Sequence, residues 1–379
     1  MQIYAGLDVV TNKVTPSERR QCRHHFVGSV PPFHEYSVVE FRDAALPLID
    51  RLRDDGKLPI VVGGTNYYIE SLLWNILVDC RKEASREEAS EQFDWLTRLP
   101  DDEIYAKLKE IDPDRAARLH PNDVRRIRRS LEVHAQCGRP HSDILAEQRK
   151  EAGGGAQGGG MRFPDATVFW LQCDYSVLDP RLDARVDEMI RGGLRDELHW
   201  LHRESANQPL AERTKGIFQA IGYKEFVPYL TCVDDGRESE AMFEACAEKL
   251  KSATKSYARK QTTWIRNRFL RRRGQAAPDV FGLDTSNVGE WDRVVLSRAI
   301  DVLVAKSSGE DPPVAPLDRL ENAPETWTKH VCDICDGRVV HGDHEWTVHL
   351  ASRGHQRRKR QRAKKAAREF ARQQQERDA

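Results

Sequence analysis

The chain has 379 residues, 39% of them hydrophobic and 32% charged, with 60 Lys and Arg balanced by 60 Asp and Glu. That length allows two or three domains with a substantial core, and the zero net charge hides a strongly basic stretch after Arg353. No run of eighteen apolar residues occurs, which argues against a membrane span, and of eight cysteines six lack motif spacing, which suits a reducing compartment better than a disulfide framework.

The N-terminal residues carry no secretory or transit-peptide pattern. Residues 1–8 read as the end of a strand passing into a loop, and Thr15-Pro16-Ser17-Glu18 as a helix start. From Tyr36 to Leu52, Val39, Phe41, Ala45, Leu48, Ile49 and Leu52 predict an amphipathic helix, with Pro47 its weak point. Ile60, Val61 and Val62, bounded by Gly56 and Gly63-Gly64, read as a strand buried on both faces of a parallel sheet. Thr65 is placed to cap the next helix, whose apolar face is Tyr68, Ile69, Leu72 and Leu73. Ligands of open α/β sheets bind at the carboxyl ends of the strands. Gly63-Gly64-Thr65 is thus a candidate site for a phosphate or a base, although an ordinary tight turn has the same sequence.

From Lys82 to Lys150 the chain reads as a charged, all-helical insertion. Pro121-Asn122-Asp123 starts a helix on which Val124, Ile127 and Leu131 share one face and Arg125 and Arg129 another. Arg125, Arg126, Arg128 and Arg129, with only Glu132 nearby to pair, suit phosphate contact, the alternative being a solvated basic face. Residues 153–160 are glycine-rich and read as a flexible loop. Thr167 to Gln172 returns to the sheet, and Arg181 to Met189 is helical up to Gly192-Gly193. A long helix from Met242 to Phe269 carries Lys249, Lys251, Lys255, Arg259, Lys260, Arg266 and Arg268, with Tyr257 and Trp264 between them. Aromatics among cations suit base stacking with phosphate contact, although Trp264 equally suits a core anchor.

Cys332-x2-Cys335-x13-His349-x5-His355 has the composition of a tetrahedral structural zinc site. His341 and His344 are alternative ligands, and a metal-free CxxC redox pair is the other reading. Six residues turn an ideal helix through about 600°, so the two histidines would diverge unless Gly354 relaxes the last turn. The basic run from Arg357 to Lys365 follows directly, as in a nucleic-acid-binding finger or a nuclear-localisation signal.

Taken together these segments resemble the tRNA dimethylallyltransferase (isopentenyltransferase) family in its eukaryotic form. The matching pieces are Met-Gln-Ile-Tyr at 1–4, Thr-Asn-Lys at 11–13, Cys-Arg-His-His at 22–25, and Pro-Ile-Val-Val-Gly-Gly-Thr-Asn-Tyr-Tyr-Ile-Glu-Ser-Leu-Leu-Trp at 59–74. They continue through His120-Pro121, the arginine helix, the Arg181, Arg185 and Met189 spacing, the stretch 216–226, and Tyr-Ala-Arg-Lys-Gln-x-x-Trp at 257–264.

The resemblance implies an α/β, P-loop-NTPase-like parallel sheet. It divides the chain into a core over 1–80, a tRNA-contacting helical insertion over 81–160, a second core part over 161–310, a linker over 311–327 and a C2H2-type finger with basic tail over 328–379. It implies transfer of a dimethylallyl group from dimethylallyl diphosphate to N6 of adenine 37 in the tRNA anticodon stem-loop, by a monomer with no membrane partner. It implies that Gln2 contacts the adenine and that Thr65 bonds near the reacting centre. Arg125, Arg126, Ile127, Arg128, Arg129, Lys260, Gln261 and Trp264 would hold the RNA, and Arg185 and Lys215 the diphosphate with Mg²⁺. Cys332, Cys335, His349 and His355 would hold structural Zn²⁺. One departure is large. The family's G-x-x-x-x-G-K-[ST] phosphate loop and first strand, and the Asp that serves as its base, have no counterpart in these 379 residues. The family would place that Asp two positions before Met1, so the chain is expected to begin at an internal methionine and to transfer negligibly by itself. A non-catalytic RNA-binding finger protein is the alternative, and a nucleotide kinase a more distant one. Cytosol, mitochondrion and nucleus all stay open as compartments.

Overall fold

The computed structural model describes residues 1–77, 96, 99–101, 103–151, 154, 158–208, 215–272, 277–320, 328–335 and 337–363. Two compact units emerge, Met1–Leu77 with Gln148–Leu320, and Val78–Glu147 with Glu321–Ala379.

The first unit opens with helices set by local capping. Thr15 accepts the Glu18 N–H and Glu18 accepts the Thr15 N–H at the start of α1 (Pro16–Gln21). Ser37 and Glu40 repeat this reciprocal bonding at α2 (Val38–Asp54), which continues past Pro47. The strand expected at Ile60–Val62 is absent. These residues have no regular structure and pair with none of the described strands, and Ile60 and Val62 are 74% and 89% exposed. A β-branched run becomes a strand only where a neighbour supplies backbone partners and cover, and none of the described strands lies against it. The helix after the glycines does form, as α3 (Asn66–Leu73), but the Thr65 hydroxyl makes no capping bond. Its other end is closed instead: Arg162 Nη1 donates to the carbonyls of Ser71, Leu72 and Trp74 at 2.6, 3.2 and 2.6 Å, satisfying oxygens that a helix terminus leaves without partners.

The insertion is helical where described: α4 (Ile104–Ile111), α5 (Pro113–Arg118), α6 (Val124–Cys137) and α7 (His141–Lys150). Leu96, Ile104, Leu108, Ala116, Leu119, Ile127 and Leu131 form its core, and Gly138, at φ 66°, ends α6 in the left-handed conformation that glycine adopts without penalty.

The chain then returns to the first unit with β1 (Thr167–Gln172), α8 (Tyr175–Arg191), α9 (Leu194–Glu204), α10 (Val227–Asp234) and α11 (Glu240–Trp264). A π-helical turn, Ile265–Phe269, leads to β2 (Asp279–Asp284) and α12 (Ser297–Ser308). β1 is the return to the sheet expected from the sequence. It pairs in parallel with β2, from Thr167 opposite Asp279 to Gln172 opposite Asp284. One core gathers Tyr4, Leu7, Val10, Leu198, Phe226, Tyr229 and Phe243. A second gathers Trp74, Phe269, Leu270 and Val280, with Trp264 packed against it. The fold is thus mixed α/β with a parallel sheet, and no described helix is long and apolar enough to cross a membrane.

The C-terminal segment forms an antiparallel pair, β3 (Lys329–Cys332) and β4 (Arg338–His341), followed by α13 (Asp343–Ala351). The break that redirects His355 falls at Ser352, whose ψ of 143° is extended, and not at Gly354. Helix then resumes over 353–363.

Candidate functional site

The N-terminal segment of the first unit is a tied loop. Lys13, almost wholly buried, donates to the carbonyl oxygens of Tyr4 and Gly6 and pairs with Asp8 Oδ1 at 2.6 Å. Glu197 on α9 accepts the N–H groups of Val9 and Val10 at 2.9 and 2.7 Å, and burial pushes its carboxyl pKa up. Gln2 is exposed, and its Nε2 donates to the carbonyls of Thr11 and Asn12 at 3.0 and 2.9 Å. That fixes the amide plane and leaves Oε1 as its acceptor.

The loop reaches α3 through tyrosines. Tyr4 Oη accepts the Tyr36 N–H at 3.3 Å, and Tyr68 Oη donates to the Tyr36 carbonyl at 3.4 Å. Burial raises the Tyr68 pKa to about 12, so its hydroxyl stays a donor at any ordinary pH. Gly216, at the start of the 216–226 stretch, lies beside Tyr4 Oη, and Gly222 lies against Val10.

The Gly63-Gly64-Thr65 turn meets α11 directly. Tyr257 Oη donates to the Gly64 carbonyl at 3.1 Å, and a Cβ added at Gly64 would overlap the Gln261 amide. Thr65 and Lys260 are exposed at this junction and Gln261 is half-buried. Trp264 is half-buried and packs against the second core. Its Nε1–H donates to buried Glu70 at 3.1 Å and its ring sits edge-on to Tyr67, with centroids 6.2 Å apart. The indole N–H is thus committed inside the fold, as the core-anchor reading expects. Lys215 is exposed, 3.4 Å from Glu35. Arg185 is half-buried on α8; its Nε has no hydrogen-bond partner among the described residues, and burial lowers its pKa.

The arginine helix belongs to the second unit. Arg125, Arg126 and Arg129 are exposed; Arg126 pairs with Asp123 at 3.5 Å and Arg129 with Glu132 at 3.2 Å. Arg128 turns inward, donating to the carbonyls of Leu96 and Leu99 at 2.9 and 2.8 Å and to Asp101 at 2.7 Å. Ile127 is 0% exposed, so its side chain packs the core and offers RNA no contact.

Cys332, Cys335, His349 and His355 are all buried, with ligand atoms within 4.8 Å of one another. His355 Nδ1 lies 3.5 and 3.7 Å from the two sulfurs and 3.3 Å from His349 Nε2. A tetrahedral zinc with ordinary bond lengths has edges of about 3.6 Å between sulfur and nitrogen and about 3.3 Å between nitrogens. The donor set therefore fits a metal such as zinc. The side chains of His341 and His344 lie outside the described residues. Outside the first coordination sphere, Trp346 stacks between His330 and His349, at 5.0 and 5.6 Å, and Ser352 Oγ accepts the His355 N–H at 3.2 Å.

Glu70, Lys13 and Glu197 escaped the sequence reading. Glu70 and Lys13 lie in stretches 59–74 and 11–13 that were singled out, but their partners are distant in sequence or are backbone carbonyls that no motif reveals.

The IPP transferase family model matches residues 2–268. The tRNA dimethylallyltransferases of Mus musculus and Homo sapiens are each 42% identical to this chain over 366 residues, covering 94% of it and 78% of theirs. That of Saccharomyces cerevisiae is 33% identical over 373 residues, covering 94% of this chain and 83% of its own. A crystal structure of a eukaryotic dimethylallyltransferase acting on tRNA superposes with a TM-score of 0.80 at 29% identity, covering 98% of this chain and 91% of that one. A family model that spans residues 2–268 and relatives 42% identical over nearly the whole chain agree, and the chain belongs to the IPP transferase family of tRNA dimethylallyltransferases.

Proposed function

We propose that this chain recognises the tRNA anticodon stem-loop and presents N6 of adenine 37 for dimethylallylation. In that reaction a bond forms between N6 and C1 of the dimethylallyl group as the C1–O bond to diphosphate breaks. Diphosphate leaves, and one N6 proton passes to a base. The target base must leave its stack to reach such a site. Gln2 accepts from the exocyclic amine through Oε1, its Nε2 being held by Thr11 and Asn12. Exposed Thr65 bonds near the reacting centre, and Lys260 and Gln261 grip the RNA beside it. In the second unit, Arg125, Arg126 and Arg129 contact phosphates. Arg185 is the residue here best suited to the diphosphate, because a desolvated guanidinium with an unmet Nε–H favours an oxyanion; Mg²⁺ bound with the diphosphate would neutralise its charge. Zinc held by Cys332, Cys335, His349 and His355 shapes the finger. The observation that carries the reading is the seating of the Gly64 turn on α11 through Tyr257 and Gln261.

These 379 residues contain no glycine-lysine phosphate loop, and each lost oxyanion donor costs about 2.7–4 kcal/mol of transition-state stabilisation. We therefore infer that the chain by itself binds RNA and transfers negligibly. The test incubates the purified chain with an unmodified anticodon stem-loop and dimethylallyl diphosphate, following binding by anisotropy and N6 modification by mass spectrometry. Binding without modification is expected. Modification at a rate comparable with a loop-containing relative overturns the inactivity, and absence of binding overturns the RNA reading.

A further inference from the structure

Glu70, midway along α3, is 0% exposed and has no part in the chemistry above. Among the described residues three donors converge on it: Trp264 Nε1–H on Oε2 at 3.1 Å, Arg268 Nε–H on Oε1 at 2.9 Å, and Arg272 Nη2 on Oε1 at 3.5 Å. Arg272 is buried in turn, with its guanidinium 3.9 Å from the centre of the Trp74 ring. Burial, with Arg268 beside it, holds the Arg272 pKa down to about 10.

An apolar contact would anchor α3 at lower cost, because taking a carboxylate and its cations out of water offsets much of their attraction. What the ionic cluster adds is direction. Its donors straddle a change of helical pitch, since Trp264 ends α11 and Arg268 lies in the π-helical turn Ile265–Phe269. Such turns recur at functional sites because they re-aim side chains that a regular helix would rotate away. About one turn before Trp264 lie Lys260 and Gln261, and at the head of α3 lies the Gly64–Thr65 turn that Gln261 touches. The carboxylate joins the two elements just behind their junction.

We propose that Glu70 is a positioning residue for RNA recognition. By collecting Trp264 and Arg268 it sets the register of α11 against α3, and so places Lys260 and Gln261 beside Thr65. The proposal rests on the reading of that junction as an RNA contact.

The test compares the wild-type chain with Glu70→Gln, Trp264→Phe and Lys260→Ala. An unmodified anticodon stem-loop, and the same loop with its target adenine replaced by guanine, are titrated by anisotropy over a salt series below the melting transition of every variant. E70Q keeps the size and loses the charge; W264F keeps the ring against Tyr67 and loses the N–H. Both are expected to bind the adenine loop at least tenfold more weakly and to lose preference over the guanine loop, with an unchanged slope of log affinity against log salt. K260A is expected to lower that slope by about one, as loss of a phosphate contact does. If E70Q and W264F melt lower but bind with wild-type preference, Glu70 only stabilises the fold and the proposal falls. If wild type binds neither loop, the RNA reading itself fails.

Discussion

Gly64 and Gln261 share one volume: a Cβ on the glycine would overlap the side-chain amide of the glutamine. Gly64 has an ordinary φ, so alanine is allowed there, and the group that must yield is the end of a flexible side chain. Gly64→Ala is therefore expected to leave folding nearly intact while expelling Gln261 from the turn. Stem-loop affinity should fall several-fold in G64A and in Q261A, and the double variant should be little worse than either. Fully additive losses would show that the two residues act separately.

Gly222 presents the opposite case. Its φ is +109° and a Cβ would overlap Val10 Cγ2. Gly222→Ala meets backbone strain and a core clash together, so a destabilisation of about 2–4 kcal/mol is expected in urea unfolding. Val10→Ala in the same chain should recover the clash component and not the strain.

His141 makes the second unit sensitive to acid. Its Nδ1 lies 3.1 Å from Ser130 Oγ, and burial, with Arg115 and Arg129 nearby and Asp112 opposing them, lowers its pKa from 6.5 to about 4. The folded state thus resists a proton that the unfolded state accepts. This contribution is intact above the unfolded pKa and is lost as pH falls from 6.5 towards 4. Between pH 7 and 5 the loss is about 2 kcal/mol. Urea unfolding of wild type and of His141→Gln at both pH values should show that part of the acid dependence vanish in the variant.

The metal centre should bind one equivalent of zinc, measurable by elemental analysis. Cys332→Ser or His349→Ala should abolish it. Trp346 stacks on His349 at 5.6 Å, so chelation should change tryptophan fluorescence in wild type and leave Trp346→Phe nearly silent.

The parts of the fold that were legible in the sequence are the locally determined ones. The Thr15–Glu18 capping box, the helix after Gly64 and the β1 strand follow from neighbours within a few residues. The Cys332, Cys335, His349 and His355 cluster is legible from its donor types and spacing, but the break that aligns the two histidines falls at Ser352, which caps the next helix, and not at Gly354. Ile60–Val62 was misread because a strand needs partners that the segment cannot carry itself. Trp264 and Arg128 look like their neighbours in the sequence, and the partners that hold them inside the fold, Glu70 and the carbonyls of Leu96 and Leu99, are too remote in sequence for any local pattern to reveal. Ile127 was legible after all, since its spacing from Val124 and Leu131 already placed it on the apolar face.

Lys13 has its ammonium enclosed by the carbonyls of Tyr4 and Gly6 and by Asp8, with a side-chain exposure of 2%. Amine-directed labels will mark Lys215 and Lys260 readily and pass over this one. Its acylation rate is then a clock for how often the N-terminal loop comes undone, readable by mass spectrometry in the same sample in which the surface lysines serve as the internal standard.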